Sequence, residues 1–573
     1  MTSVLDQIRR IPVLIWSILL LALAWIPIPF VGFHPHHDGL MLATILQQKQ
    51  ALLTGGAYPF NQYGSFWSFP YLLPSLILPD QFVLMASRLV TILMYAVAIT
   101  FIWKTAQIVS NRIVAYLSIF LLLLSHPYGL EPIPWPSSTQ LFLLSAISYC
   151  SALLFMKESY KNHSKRHFSP FALAIGILTG MSIFTRLQVG LLLFVFFLFF
   201  LFLIGEYRLL RDFIFGFFFF VLAWSLILLS FGWLKDSIID GFQFGFMIAG
   251  NEQTDKPFPL WTLILSCLLL MLYSLLVFLS RKNISTQVSK ISVKILAFLF
   301  ITSFLVIACL LFLKPNTFPT KLEFYSNKFW VSFLLASTIL FVFQARKIIY
   351  SVALRRKIQN SQQVTLALTA LSVISEFQIY PLFDPMHSWW SSIPTVILIA
   401  MTLEKSFNRF ISSTVLRSRM FVPLLSVSLV LVILAPYGIA LSKPTAPLLP
   451  QRIFGIHVDK GFADTEQKTQ EFFRKYIAST DVSLNLCPDG NLFFTSDFKS
   501  ASRYFIYWGI MNDFKPTQSS VLGSRPDRIV YCQQAGTELD PGISKIITSL
   551  MPNKNELGRL DIDISQKIII LGD

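Results

Sequence analysis

The chain has 573 residues, of which 54% are hydrophobic and only 13% charged, with a mean hydropathy of +0.63 and a formal net charge of +16. Soluble domains carry about a quarter charged residues, so this composition excludes a soluble protein and indicates a polytopic membrane protein. The positive charge is spread over many short loops and forms no basic stripe with interleaved aromatic residues, which argues against a nucleic-acid partner.

The first apolar stretch, residues 11–33, follows Arg9-Arg10 and is long enough to cross a bilayer. No small-residue cleavage site follows it, which favours an uncleaved signal-anchor helix. Further apolar runs are centred near residues 98, 119, 147, 176, 196, 222, 270, 304, 337, 370, 397 and 431. The sequence therefore predicts a mainly α, polytopic transmembrane protein with about 13 spans.

The charges of the connecting loops predict the orientation of these spans. If the N-terminus is cytoplasmic, the inner segments carry 23 Lys and Arg residues and the outer connections up to residue 442 carry eight. Cytoplasmic loops of membrane proteins are enriched in Lys and Arg. We therefore expect a cytoplasmic N-terminus and an extracytoplasmic C-terminal part.

The first outer loop, residues 34–87, begins with a cluster of ionisable side chains. Asp38 follows His36-His37 directly, and His34 lies close by. A carboxylate beside imidazoles can act as a general base or supply metal ligands. A solvated loop acid is the plainer interpretation, but ionisable groups at the end of a span are costly and indicate function.

Two further features of this loop are a polar turn and an aromatic segment. The turn, residues 58–64, contains Asn61, Gln62 and Tyr63, whose side chains suit hydrogen bonding to a sugar, or an ordinary turn. The aromatic residues 66–71 run into the apolar residues 72–78, which are too few to span the membrane. They predict a helix lying at the membrane interface.

Three later outer connections carry further candidates. They are Glu131 with the sequence Pro134-Trp135-Pro136-Ser137, the turn Thr185-Arg186-Leu187-Gln188-Val189-Gly190, and the sequence Phe383-Asp384-Pro385-Met386-His387. Arg186 can bind an anionic group or extend to lipid headgroups. Glu131 can assist a base or remain a solvated acid, and Asp384 can hold one tautomer of His387.

Residues 443–573 are richer in polar and charged residues than the membrane part, residues 1–442. We expect a helix over 464–478, capped by Asp464 with Gln467, and strands at 482–486, 492–495, 528–532 and 567–571. This pattern predicts a small extracytoplasmic α/β domain. Cys487 and Cys532 lie within it and can form a disulfide in an oxidising compartment or remain separate thiols.

Taken in chain order, these motifs resemble those of GT-C fold glycosyltransferases. The resemblance rests on Asp38-Gly39 after the first span, the Gln62-Tyr63-Gly64 turn, Arg88-Leu89-Val90, and the three motifs of the later outer connections described above. It is closest to bacterial membrane enzymes of the mannosyltransferase (RgtA-D-like) type. In this family the Asp of the early outer loop is taken as the catalytic base, and the matching residue in this sequence is Asp38. The chain has Asp-Gly where well-known relatives have two adjacent carboxylates.

The resemblance implies a membrane glycosyltransferase of the bacterial inner membrane, with an inverting displacement. Nucleotide sugars are absent from the outer face, so a polyprenyl-phosphate sugar is the expected donor and a hydroxyl of a glycan, lipid or protein the expected acceptor. The leaving phosphate requires cationic or hydrogen-bonding partners. The expected substrate-binding residues are His37, Gln62, Tyr63, Glu131, Arg186, Asp384 and His387. A divalent metal is possible as a cofactor, and the sequence requires none.

Two alternatives to this function stay open. About 13 spans also suit a transporter or flippase of lipid-linked sugars, although the paired repeats common in transporters are not found here. A ligase or polymerase of surface polysaccharide would share the chemistry and differ in its acceptor. Polar residues converging beneath the outer loops would favour an enzyme, and a polar path through the bilayer would favour a transporter.

Overall fold

A computed structural model describes most of the membrane part and much of the C-terminal part. The described residues are 32–125 (except 57, 60 and 62), 132–157, 168–241, 341–351 (except 343 and 350), 358–378, 385–410, 445–449, 453–487, 499–501, 526–534, 539, 541–551, 555–561 and 566–572. The predicted signal-anchor at 11–33 and the runs near residues 270, 304, 337 and 431 lie outside them or at their margin.

The described part of the chain up to residue 410 is helical. Two π-helical turns, Pro35–Gly39 and Leu153–Lys157, and a short turn at Asp80–Phe82 accompany twelve α-helices with defined bounds, and the described residues of 341–351 are also helical. These are α1 (Leu40–Thr54), α2 (Phe69–Ile77), α3 (Val83–Val109), α4 (Arg112–Ser125), α5 (Pro136–Ala152), α6 (Pro170–Ile183), α7 (Leu187–Leu203), α8 (Tyr207–Ser230), α9 (Leu234–Ile239), α10 (Asn360–Glu376), α11 (Pro385–Ser391) and α12 (Ile393–Phe410).

Helices stand at eight of the thirteen predicted apolar runs, namely α3 to α8, α10 and α12. By length and composition, three helical segments of the described chain can cross a membrane: Asp80–Val109, Pro136–Met156 and Tyr207–Ser230. Four shorter apolar helices accompany them. The total of 13 spans and the orientation of the termini stay predictions.

The segment that was predicted to lie at the membrane interface forms α2, which begins at Phe69 within its aromatic part. By contrast, α1 was not predicted. It begins at Leu40, two residues after Asp38, and is capped at its C-terminus by Gly55, which adopts the left-handed conformation with a φ of 71°. The predicted first outer loop therefore contains two helices, α1 and α2, and Asp38 lies two residues before the first of them.

The C-terminal part contains seven strands and two helices in its described residues. They are β1 (Thr445–Pro447), β2 (His457–Asp459), α13 (Lys460–Tyr476), β3 (Val482–Leu486), β4 (Lys499–Ser500), β5 (Arg528–Gln534), α14 (Pro541–Leu550), β6 (Asn555–Asp561) and β7 (Gln566–Gly572). β1 and β2 pair antiparallel, and the other strands form a sheet in the order β4-β3-β5-β7-β6. Neighbours β4, β3 and β5 are parallel, whereas β7 runs antiparallel to both β5 and β6.

Three predicted strands are confirmed at β3, β5 and β7, while residues 492–495 lie outside the described chain. The predicted helix begins earlier, at Lys460, because Asp459 accepts a hydrogen bond from the backbone N–H of Gly461 and caps it. The capping pair Asp464 and Gln467 is therefore wrong, since both residues lie within the helix. The division of the chain at residue 442 stays a prediction.

One segment of the C-terminal part packs against the first outer loop. We call residues 445–449 and 453–463 the clasp segment. Its apolar residues, among them Ile453 and Ile456, share a buried core with α1, α2 and the start of α3. The backbone N–H of Phe454 also donates to the carbonyl of Gln81 at 3.0 Å. The clasp segment thus packs against the helices that follow Asp38 in the chain.

Candidate active site

Asp38 lies in the π-helical turn that leads into α1. Its backbone N–H donates to the carbonyl of His34 at 2.8 Å, and its Oδ2 accepts from the backbone N–H of His34 at 3.0 Å. The two bonds close the turn on itself and fix the direction of the carboxylate. The negative charge also lies at the N-terminus of a helix, where the helix dipole favours it.

The carboxylate of Asp38 forms a buried ion pair with Arg88. Arg88 Nη2 lies 2.9 Å from Asp38 Oδ2, with side-chain exposures of 2% and 1%. The same Nη2 donates to the carbonyl of Gly32 at 2.7 Å. Asp38 Oδ1 is buried and has no hydrogen-bond partner among the described residues. One oxygen is therefore fixed by two donors, and the other keeps its hydrogen-bonding capacity.

The histidines His34, His37 and His387 gather near this carboxylate. His34 Nδ1 accepts from the backbone N–H of His37 at 3.2 Å and lies 3.1 Å from His37 Nδ1. The His37 and His387 rings lie 6.4 Å apart, and each packs against the Trp390 ring. The structure thus brings together two of the predicted substrate-binding residues, His37 and His387, which lie about 350 positions apart in the sequence.

Trp135 continues this cluster towards Tyr63 and Arg186. Its ring lies 4.5 Å from that of His37 and 5.6 Å from that of Tyr63, edge to face in both cases. The guanidinium carbon of Arg186 lies 5.1 Å from the centre of the Tyr63 ring, a cation–π arrangement. A continuous row of rings therefore connects the region of Asp38 with the predicted anion-binding arginine.

Arg186 is held by two polar groups that the sequence did not reveal. Its Nη1 donates to the carbonyl of Gln378 at 3.1 Å and its Nη2 donates to Ser137 Oγ at 2.5 Å. Arg186 is 7% exposed, so its side chain does not extend to lipid headgroups. It instead joins the turn after α6, where Arg186 itself lies, to the first turn of α5 and to the segment after α10.

The turn at residues 58–64 approaches the Arg186 turn too closely for a side chain at Gly64. A Cβ there would lie 2.2 Å from the carbonyl oxygen of Phe184, and the N–H of Phe66 donates to that oxygen at 2.7 Å. Asn61 Oδ1 accepts from the N–H of Tyr63 and from the indole of Trp67, so it is used inside the fold. Asn61 is therefore a structural residue of the turn.

Five of the predicted site residues meet in one region: Asp38, His37, Tyr63, Arg186 and His387. Gln62, Glu131 and Asp384 lie outside the described residues, so their predicted roles are untested. The sequence reasoning missed Arg88 as the partner of Asp38. Its signal was present, because an arginine six residues into a long apolar helix requires a buried partner.

No group of three or more His, Cys, Asp or Glu side chains in the described part of the chain is arranged to hold a metal ion. Cys487 and Cys532 form a disulfide, and their Cα atoms lie 4.9 Å apart. Cys532 lies in β5, and Cys487 directly follows the neighbouring strand β3. The bridge belongs to the C-terminal sheet.

The chain is similar along most of its length to solved structures of two proteins. ArnT from Cupriavidus metallidurans bound to undecaprenyl phosphate is 13% identical over 96% of both chains, with a TM-score of 0.40, and its apo state is 10% identical over 97% of both, with a TM-score of 0.46. The Archaeoglobus fulgidus oligosaccharyltransferase with zinc and sulfate is 11% identical over 91% of this chain and 67% of that one, with a TM-score of 0.44.

No protein-family model matches the sequence, and no curated protein is significantly similar to it. Because every TM-score quoted lies below 0.5, the structural likeness assigns neither a family nor an activity to this chain. The function must be inferred from the chain's own residues.

Proposed function

We propose that the protein is a membrane glycosyltransferase that moves a sugar from a polyprenyl-phosphate donor to an acceptor hydroxyl on the outer face, with Asp38 as general base. One observation carries the proposal. A buried carboxylate is fixed on one oxygen by Arg88 and His34, keeps its second oxygen unpartnered, and lies in the region where separate outer connections meet.

The proposed chemistry is a single displacement at the anomeric carbon. Asp38 Oδ1 takes the proton of the acceptor hydroxyl as the acceptor oxygen forms its bond to that carbon. The bond from the carbon to the phosphate oxygen breaks, and the phosphate leaves with the electron pair. Attack from the opposite face inverts the anomeric centre. Since Oδ1 is enclosed, neighbouring side chains must move before an acceptor reaches it.

Arg186 and His387 are the proposed partners of the leaving phosphate. A guanidinium binds phosphate oxygens through charge-assisted hydrogen bonds, which strengthen as negative charge develops. In this proposal, a donor oxygen replaces Ser137 Oγ as the acceptor of Arg186 Nη2. Tyr63 and Trp135 offer ring faces and edges of the kind that pack against sugars. Asp384 would orient His387, and Gln62 and Glu131 would contact donor or acceptor.

The substrate classes and the location follow from the predicted topology and the sequence resemblance. A site on the outer face of a bacterial inner membrane has access to lipid-linked sugars, and its acceptor is a glycan, a lipid or a protein. A transporter or flippase of lipid-linked sugars is the second candidate function. The converging side chains around Asp38 favour the enzyme over this alternative.

The test is transfer from a panel of radiolabelled polyprenyl-phosphate sugars in membranes that contain wild type, Asp38→Asn or Asp80→Asn. Asp80 belongs to the same loop, pairs with Lys49 and is 68% exposed, so it provides a matched control. We expect transfer to be lost only in Asp38→Asn. Full transfer by that variant would overturn the role of Asp38, and flipping of labelled lipid without any transfer would favour the transporter.

A further inference from the structure

Asp240 is a second buried carboxylate on the predicted outer side of the membrane. Four carboxylate residues are buried in the described part of the chain: Asp38, Asp212, Asp240 and Glu404. Asp212 and Glu404 lie at predicted inner ends of helices, which leaves Asp240 as the outer companion of Asp38. It follows α9 directly and is 0% exposed. A buried carboxylate is costly unless its oxygens accept hydrogen bonds, so its burial indicates specific partners.

The contacts of Asp240 lead to the turn that carries Tyr63. Asp240 Oδ2 accepts from the backbone N–H of Asn61 at 3.2 Å, across 179 residues of sequence. The Asn61 side chain then accepts from the N–H of Tyr63 at 3.1 Å and from the Trp67 indole at 2.9 Å. Asp240 therefore holds the backbone of Asn61, and the side chain of Asn61 holds the backbone of Tyr63.

The region from α8 to Asp240 holds both flanks of the same turn. Trp224 Nε1 donates to Ser65 Oγ at 3.0 Å, and Trp233 Nε1 donates to the carbonyl of Gly56 at 3.1 Å. These two neutral contacts hold the ends of the turn. Asp240 acts between them, on the stretch that places the Tyr63 ring 5.1 Å from the guanidinium carbon of Arg186.

We propose that Asp240 is a positioning residue that sets Tyr63 against Arg186 and thereby shapes the site for the donor phosphate. The assignment of that site to a phosphate rests on the proposed function. Asp240 contacts the backbone of Asn61 and acts on the site through it. Its carboxylate oxygen accepts the hydrogen bond from the backbone N–H of Asn61, a bond that an amide oxygen at the same position can also accept.

The first test measures position without any substrate. Tyr63→Cys is labelled with a membrane-impermeant maleimide in intact cells, alone and combined with Asp240→Ala, Asp240→Ser, Asp240→Asn or the control Asp236→Asn. Asparagine keeps an oxygen that can accept from Asn61, whereas alanine lacks one and serine is too short to reach. We expect the alanine and serine changes to alter the labelling rate several-fold. The asparagine variant and the control should stay within about twofold of the parent.

The second test measures transfer from a polyprenyl-phosphate sugar with Tyr63 intact. A misplacement of about 1 Å in a site can lower the rate about 10²-fold, so we expect a loss of this order in kcat/KM for the donor in Asp240→Ala. KM for the acceptor should not change, and Asp240→Asn should recover most of the activity. If Asp240 had a purely structural role, Asp240→Ala would lower the amount of folded protein but leave kcat/KM for the donor unchanged in the protein that folds.

The outcomes separate this inference from the proposed function. Unchanged labelling in Asp240→Ala and Asp240→Ser overturns the positioning role, whatever the activity. Labelling and activity in Asp240→Asn that match those of Asp240→Ala also overturn it, because the hydrogen bond would then be irrelevant. If labelling changes as expected while no variant, wild type included, transfers sugar from any donor, the proposed function fails and the positioning of Tyr63 stands.

Discussion

The buried Asp38–Arg88 pair permits a sharp test of whether Asp38 reacts or only supports the fold. Asp38→Asn leaves the Arg88 charge buried without its partner, and Arg88→Met does the same to Asp38. Removing one member of a buried ion pair destabilises a protein by about 3–5 kcal/mol. Each single variant should therefore be markedly less stable than the wild type, independently of any catalytic effect.

The double variant separates the two roles. Asp38→Asn with Arg88→Met leaves no unpaired buried charge, and the amide oxygen that replaces the carboxylate can still accept from the N–H of His34. The carbonyl of Gly32 loses its donor, at a cost of about 1–3 kcal/mol. We expect the double variant to be more stable than Asp38→Asn, with a coupling energy of several kcal/mol.

Transfer activity should not follow stability in this series. A positioned general base contributes roughly 10²- to 10⁴-fold to a rate, and asparagine cannot take a proton. The double variant should therefore fold well and remain inactive. The free energy of unfolding is measured by denaturant titration in detergent micelles, and transfer in membranes. Transfer restored to wild-type level in the double variant would show that Asp38 serves only as the partner of Arg88.

Three further changes have defined outcomes. Gly64→Ala should abolish transfer and lower the amount of folded protein, because its Cβ would lie 2.2 Å from a backbone carbonyl oxygen, whereas Gly56→Ala, with its nearest atom at 3.4 Å, should be tolerated. Arg186→Lys keeps the charge but replaces two separate Nη donors, which reach different acceptors, by a single nitrogen. Donor kcat/KM should therefore fall about 10- to 100-fold, and an unchanged value would contradict the role of the guanidinium geometry. The double variant Cys487→Ala with Cys532→Ala removes a disulfide between residues 45 positions apart, which should lower the free energy of unfolding of the C-terminal sheet by up to about 4 kcal/mol. Limited proteolysis should then cut this sheet sooner than in the wild type, and identical proteolysis would show that the disulfide adds no stability.

The sequence predicts well those features that depend on composition and periodicity. Long apolar runs mark α3 to α8, α10 and α12, and short stretches with apolar residues mark β3, β5 and β7, because hydrophobic burial and local propensity determine these elements. α1 was missed because its residues 47–50, Gln-Gln-Lys-Gln, interrupt the apolar pattern. Its C-terminal Gly55 was the available signal. The capping pattern at Asp464 failed because the same spacing also occurs inside helices.

The site was predictable where a residue type is unusual for its place, and not where its role depends on a distant partner. Asp38, Arg186 and His387 are ionisable groups at predicted span ends, and the structure brings them into one region. Arg88 and Asp240 were missed as site residues because their partners lie 50 and 179 positions away in the sequence. No local pattern encodes such a pairing, and Gln62, Glu131 and Asp384 stay predictions.

The clasp segment also has a consequence for the order of events during synthesis. The helix that follows Asp38 shares its buried core with residues that leave the ribosome roughly 400 positions later, which takes roughly 20–80 seconds at 5–20 residues per second. Until then the apolar face of α1 lacks part of its cover, and the carboxylate lacks its final support. A chain that is truncated before residue 445 would therefore lack part of the core beside α1, so the proposed site would be complete only when synthesis is nearly finished.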